Sequence, residues 1–216
     1  MKPSLARRVT AEFVGTLFLV AAVVGSGIMG ERLADGNVAV ALLANTIATG
    51  AALVALICAF ADISGAHFNP VVSLAEALNG RLIAPEAIAY AGAQISGGIL
   101  GALAAHAMFQ LPLISLSHRA RSGGAQFLSE FIATFGLLCV IAGCSRARPA
   151  ASPFAVGAYL TAAYWFTSST SFANPAVTIA RALSDTFSGI RPVDAPAFIA
   201  AQIAGGLTAV FLFRWL

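Results

Sequence analysis

Apolar residues fall along the chain in six long stretches, at about 11–29, 38–61, 87–109, 125–144, 152–168 and 196–214. Each is close to the ~20 apolar residues that an α-helix needs to cross a ~30 Å hydrocarbon layer. The second carries no charge across Val38–Ala61, and the first and fourth carry one acid each near their starts, Glu12 and Glu130. Two shorter apolar pieces, near 69–79 and 174–184, are too short to span, and each opens with Asn-Pro. The pattern predicts an all-α membrane protein with six transmembrane helices and two incomplete ones. The connections are short, so residues 1–216 are expected to form a single membrane domain with no separate soluble part.

The same stretches repeat. Ala11-Glu12-Phe13-Val14-Gly15-Thr16 matches Ser129-Glu130-Phe131-Ile132-Ala133-Thr134, Phe68-Asn69-Pro70-Val71 matches Ala173-Asn174-Pro175-Ala176, and Ala93-Gln94-Ile95-Ser96-Gly97-Gly98 matches Ala201-Gln202-Ile203-Ala204-Gly205-Gly206. The offsets are 118, 105 and 108, so the blocks keep their order while the loops vary. Two halves of three spans each, about 8–109 and 125–216, must insert in opposite directions. An inverted repeat with a pair of half-helices at its interface points to a pathway through the membrane.

Composition agrees: 59% of the 216 residues are apolar and 10% are charged, against about 25% charged in a typical soluble domain. The net charge of +3 is weak and dispersed, which argues against a nucleic-acid partner. Cys58, Cys139 and Cys144 lie in apolar runs and form neither a disulfide framework nor a metal-ligand spacing; no cofactor or metal is expected. Lys2, Arg7 and Arg8 before the first run resemble a signal peptide, but the run continues to Met29 without a small-residue cleavage site, so a first span fits better. With the N-terminus cytoplasmic, that side collects Lys2, Arg7, Arg8, Arg81, Arg146, Arg148 and Arg214. The other side has Arg32, Arg119, Arg121, Arg181 and Arg191. The bias places both termini in the cytoplasm of an inner-membrane protein.

The Asn-Pro pieces carry the chemistry. Asn is a favoured helix cap and Pro a favoured first residue, so one copy is an ordinary helix start. Two copies at membrane depth require a protected or wet surrounding. Opposed half-helices meeting near the midplane make a seventh, broken span. The cap oxygens of Asn69 and Asn174 engage the free helix N–H groups and leave NH₂ donors for an oxygen-bearing solute. Both dipole ends carry about half a positive charge, which repels cations and protons but not neutral hydroxylated molecules. The segments Gly65-Ala66-His67 and Thr170-Ser171-Phe172 are expected to expose backbone carbonyls as acceptor ladders.

Ala11-Glu12-Phe13-x-Gly15-Thr16, Ser64-Gly65-Ala66-His67-Phe68-Asn69-Pro70, the Ala-Gln-x-x-Gly-Gly blocks and Phe172-Ala173-Asn174-Pro175-Ala176 resemble the aquaporin, or major intrinsic protein, family over about residues 8–214. The resemblance implies six tilted helices, two re-entrant half-helices, one pore per subunit and a homotetramer. It also implies that Glu12 and Glu130 are buried acceptors supporting the carbonyl-bearing loops. Two departures stand out. The first motif reads Asn-Pro-Val, and the family's usual Arg after the second is Val177. Counting from the caps places the constriction at Thr49, Ala162, Ser171 and Val177, an uncharged and wide gate; a slip of two would bring Tyr164 to the wall. Arg181, about one turn past Val177, is expected as a snorkelling interfacial arginine, the alternative being that it folds back toward the pore mouth; His67 is expected as a packed residue, and His106 and His118 as interfacial. Tyr164 and Trp165 are expected in an aromatic belt or, alternatively, against the pore vestibule.

Val177 and the Asn-Pro-Val variant resemble a bacterial aquaglyceroporin branch associated with arsenic resistance. The expected function is therefore a passive channel for small uncharged solutes: glycerol-like polyols, arsenite, methylated arsenicals and water. The alternatives are a water-selective aquaporin and a coupled secondary transporter. The transporter lacks an ionisable residue deep in a span, and an intramembrane enzyme lacks both paired carboxylates and a metal-binding motif.

Overall fold

The computed structural model describes residues 3–216; Lys2, and its share of the charge bias, lies outside them. Its helices are α1 (Leu5–Leu33), α2 (Val38–Ser64), the short α3 (Pro70–Leu78), α4 (Ala84–Met108), α5 (Gly124–Ala147), α6 (Ser152–Phe166), the short α7 (Pro175–Ala182) and α8 (Ala195–Trp215). The starts follow local chemistry. Ser4 and Asn37 cap α1 and α2 with side-chain oxygens, and Pro sits in the first turn of α3, α4, α6, α7 and α8. There its missing N–H costs no helical bond. Gly65 ends α2 at φ 92°, a left-handed conformation that glycine adopts without a side-chain penalty.

Among the described residues, α1, α2, α4, α5 and α8 are long and apolar enough to cross a membrane. The sixth span is shorter than its apolar stretch. α6 has 15 residues, about 22 Å of rise, preceded by a 3₁₀ turn at Pro149–Ala151 and ended at Phe166. Large apolar side chains such as Phe18, Ile47, Ile88, Phe127, Phe154 and Phe211 face outward, while Glu12, Glu130, Gln94 and Gln202 are fully buried. That inversion of the soluble-protein pattern suits a lipid surround and a polar interior.

Packing recurs at the repeat offsets. α1 packs on α4 and α2, α5 packs on α8 and α6, and α2 crosses α6 to join the halves. α3 and α7 each rest on both α4 and α8. Lipid tails supply no hydrophobic drive between helices, so close approach depends on small residues. A Cβ on Gly97 would lie 2.3 Å from the Phe13 carbonyl oxygen, and one on Gly205 2.3 Å from that of Phe131. The same principle explains the Val71 departure. A Cβ on Gly206 would lie 2.2 Å from Val71 Cγ1, so the valine's extra bulk occupies space left by a glycine on α8.

Several polar residues depart from expectation. His106 is buried, not interfacial: its Nδ1 bonds the Leu113 carbonyl at 2.7 Å and its Nε2 the Ser184 hydroxyl at 2.8 Å, tying the 110–123 loop to the end of α7. His118 is exposed and pairs with Asp185 at 3.0 Å. The His118 backbone N–H, donating to the same carboxyl, together with that pairing holds Asp185 below the usual carboxylate range. Trp165 faces outward as a belt residue would, whereas Tyr164 is 3% exposed and faces inward.

The Val71–Gly206 contact is testable as a pair. Gly206→Ala is expected to destabilise the protein by about 1–3 kcal/mol through overpacking. Combining it with Val71→Ala, which removes the clashing methyl groups, should restore most of the loss in detergent thermal unfolding. Additive losses would show that the two residues do not share that space.

Candidate functional site

The two half-helices meet through their caps. Asn69 Oδ1 accepts from the Val71 N–H at 3.0 Å, and Asn174 Oδ1 from those of Ala176 at 2.9 Å and Val177 at 3.3 Å. The amide nitrogens then cross over: Asn69 Nδ2 donates to the Ala173 carbonyl and Asn174 Nδ2 to the Phe68 carbonyl, each at 2.7 Å. Each NH₂ has two donors. The expectation that both would serve the lumen therefore changes: one N–H of each amide locks the opposite half, and one remains. The reciprocity brings the two positive helix ends together. Both side chains line a cavity of about 340 Å³.

The segments leading into the caps have alternating left-handed residues. Ala66 and Phe68 have φ of 51° and 48°, and Ser171 and Ala173 have 47° and 50°, with Thr170 at 59°. Such conformations are costly for residues with a Cβ and persist only where surroundings enforce them. Two carboxylates supply the enforcement. Glu12 accepts from the backbone N–H groups of His67 (2.9 Å) and Phe68 (2.7 Å), from Ser64 Oγ (2.6 Å) and from Gln94 Nε2 (2.8 Å). Glu130 accepts from those of Phe172 (2.9 Å) and Ala173 (2.9 Å), from Ser169 Oγ (2.6 Å) and from Gln202 Nε2 (2.6 Å). Ser64 Oγ also accepts from the Ala66 N–H, and Ser169 Oγ from that of Ser171.

Carbonyl direction follows from peptide planarity. In a trans peptide the C=O of one residue points opposite to the N–H of the next. The N–H groups of residues 66, 67 and 68 point back toward Ser64 and Glu12, so the carbonyls of Gly65, Ala66 and His67 point the other way. The equivalent bonds to Ser169 and Glu130 turn the carbonyls of Thr170, Ser171 and Phe172. All of these residues except Thr170 border the cavity. Thr170 is half-buried, and its hydroxyl accepts from Arg121 at 3.3 Å.

The cavity wall differs from the counted set. Thr49, Ser171 and Val177 are buried and border the cavity, but Ala162 is exposed on the outer face of α6 and does not reach it. Two residues further on, Tyr164 takes the position; its hydroxyl donates to Thr49 Oγ1 at 3.4 Å. Arg181 takes the inward placement of its two alternatives. It is 1% exposed rather than snorkelling, borders the cavity, and lies with its guanidinium carbon 3.3 Å from the centre of the Phe172 ring. Its Nε donates to the Ser188 carbonyl, while Nη1 is buried with no partner among the described residues. Arg121 approaches the same ring at 5.0 Å and donates to the Gly189 and Ser169 carbonyls. The wall is therefore neither uncharged nor free of large groups.

His67 bonds Ser73 Oγ at 3.0 Å, as expected of a packed residue, and also borders the cavity. Gln94, Gln202, Ser64 and Ser169 join the site through the two carboxylates, and the sequence carries a signal for them. The glutamines lie in the repeated Ala-Gln block, and the serines share the 105-residue offset of the asparagines.

Glu130→Gln replaces an acceptor-only group by one that presents N–H donors to N–H donors. Losing charge-assisted bonds worth about 1.5–3 kcal/mol each should lower the thermal unfolding midpoint measurably, with Glu12→Gln giving a similar loss. An unchanged midpoint in both variants would remove the carboxylates from this role.

Comparison with known proteins fits this geometry. Residues 1–170 match the Major intrinsic protein family. The chain is 54% identical over 212 residues to aquaglyceroporin AqpS of Rhizobium meliloti, covering 98% of this chain and 91% of that one. It is 30% identical to probable aquaporin AqpM of Archaeoglobus fulgidus over 100% of this chain and 99% of that one. Among solved structures, the aquaglyceroporin of Plasmodium falciparum superposes with a TM-score of 0.76 at 20% identity, covering 98% of this chain and 95% of that one. The paired caps and the sequence relationship lead to one assignment: the chain belongs to the major intrinsic protein family of membrane channels, not to an enzyme family.

Proposed function

We propose that the protein is a passive channel for small uncharged hydroxylated solutes, with glycerol-like polyols, arsenite and water as its permeants and methylated arsenicals as further candidates. The observation that carries this reading is the reciprocal Asn69–Ala173 and Asn174–Phe68 bonding between two carbonyl-bearing segments beside one cavity. It supplies donors at the centre and acceptors on either side, which suits a molecule bearing both on every carbon. The name aquaglyceroporin, carried by the Rhizobium relative, supports the polyol class. Thr49, Tyr164, Ser171, Val177 and Arg181 form the selective ring in this reading. Val177 leaves apolar space where the family usually has Arg, and Arg181 brings a guanidinium back to the ring from one turn further along α7.

The chain acts as one domain of two inverted halves, assembled as a homotetramer in the inner membrane with both termini in the cytoplasm. A second reading, a water-selective pore, is favoured by the presence of both Tyr164 and Arg181 at the wall. The ratio of glycerol to water permeability separates the two.

In reconstituted vesicles, glycerol-driven swelling should rise linearly with the gradient, without saturation and without dependence on proton or sodium gradients. Saturable, ion-coupled uptake would overturn the channel reading. Arg181→Leu removes a charged donor from the ring, and a bond of that kind is worth about 1.5–3 kcal/mol. The ratio of glycerol to water permeability should therefore change roughly tenfold. Val177→Arg should exclude glycerol while water still passes. Unchanged fluxes in both variants would place the constriction elsewhere.

A further inference from the structure

We infer that the cytoplasmic-side ends of α3, α5 and α8 form a binding site for the phosphate headgroup of an anionic phospholipid, with one acyl chain seated between α5 and α8. A groove of about 330 Å³ opens there, separate in its lining from the selective ring. Its lining includes three exposed arginines, Arg81, Arg146 and Arg214, and the more buried Leu138, Ile141 and Phe213. These two surfaces are what an amphiphile with a negative head requires.

The arginines are held in place. Arg146 donates to the Phe213 carbonyl and stacks on the Phe213 ring at 5.3 Å, and Arg214 donates to the Leu78 carbonyl. Helix capping explains these bonds, since cations favour helix C-termini. It accounts for one of the five N–H donors on each guanidinium and leaves the apolar lining unexplained. Arg81 is paired with Glu76 at 3.1 Å, so the charge of Arg146 and Arg214 remains for an incoming anion. Juxtamembrane arginines attract anionic lipid at about 1 kcal/mol each, and a seated chain adds apolar contact. Arg81 and Glu76 also border the pore cavity, which puts the bound headgroup beside the inner entrance. The site does not depend on which solute the pore conducts.

The test is native mass spectrometry of the detergent-solubilised protein titrated with phosphatidylglycerol, phosphatidylcholine of the same chains, and inorganic phosphate. Phosphatidylglycerol should be retained, and Arg146→Gln with Arg214→Gln should weaken that retention roughly tenfold or more. Ala142→Phe, which fills the groove without altering charge, should also weaken it. Arg148→Gln, which removes a neighbouring charge outside the groove, should not. Equal retention of phosphatidylcholine, full retention by the double variant, or inorganic phosphate competing as well as the lipid would each overturn the proposal. Unaltered glycerol swelling by the Ala142→Phe protein would show that its fold is intact.

Discussion

A backbone crossing a membrane must satisfy every N–H and C=O within the protein or against water, and the two cap-bearing segments meet this demand by dividing their groups. Their N–H groups are gathered on one side by Glu12 and Glu130, leaving the carbonyls on the other. Neither segment is regular structure, and each holds non-glycine residues at positive φ. A single neutral acceptor has too few lone pairs for the task. A carboxylate accepts up to four bonds, and each of these two accepts four from backbone, serine and glutamine. The buried charge is thereby compensated by bonds, and the same bonds fix the direction of the acceptor ladder. Removing the acid would release the segment, the cap geometry and the cavity lining together.

This dependence explains why the architecture is legible in sequence. Six apolar stretches and two short ones follow from segment length, and the observed helix ends lie within a few residues of most predicted ends because capping residues and prolines mark them. Asn69 and Asn174 are legible because their chemistry is local: a cap oxygen serves its own helix. The left-handed residues are not. Ala66, Phe68, Ser171 and Ala173 have no intrinsic preference for positive φ, and only the distant glutamates make it tolerable.

Ala162 lies off the cavity wall for a different reason. Counting back from Asn174 assumes a known path through the 167–173 segment and a known rotation of α6. α6 is apolar on every side, so no polar stripe sets its rotation. Two residues along a helix turn the side chain by about 200°, enough to exchange exposed Ala162 for buried Tyr164. The interfacial expectation for Arg181 rests on the usual extension of arginine to water near a membrane surface. The interaction that overrides it is the Phe172 ring, which belongs to another segment and is brought under the guanidinium only by the fold. Cation–π contact gains in strength when both partners are desolvated, as they are here.

In the proposed channel, the guanidinium of Arg181 changes how the ring discriminates. None of the salt bridges among the described residues includes Arg181, so its charge joins the two helix dipoles as a like-signed source facing the same path. A cation meets all three. A neutral solute meets none of that repulsion. The carbonyls of Gly65, Ala66, His67, Ser171 and Phe172, all residues that border the cavity, are acceptors for hydroxyl hydrogens, and the remaining N–H groups of Asn69 and Asn174 are donors for hydroxyl oxygens. An apolar molecule of the same size would leave both kinds of group unsatisfied, at a cost of about 1–3 kcal/mol for each buried group. In the proposed channel, selectivity against charge and selectivity for hydroxyls therefore arise from the same arrangement, and valine in place of the family's usual arginine beside the cap would alter the width of the ring without removing either.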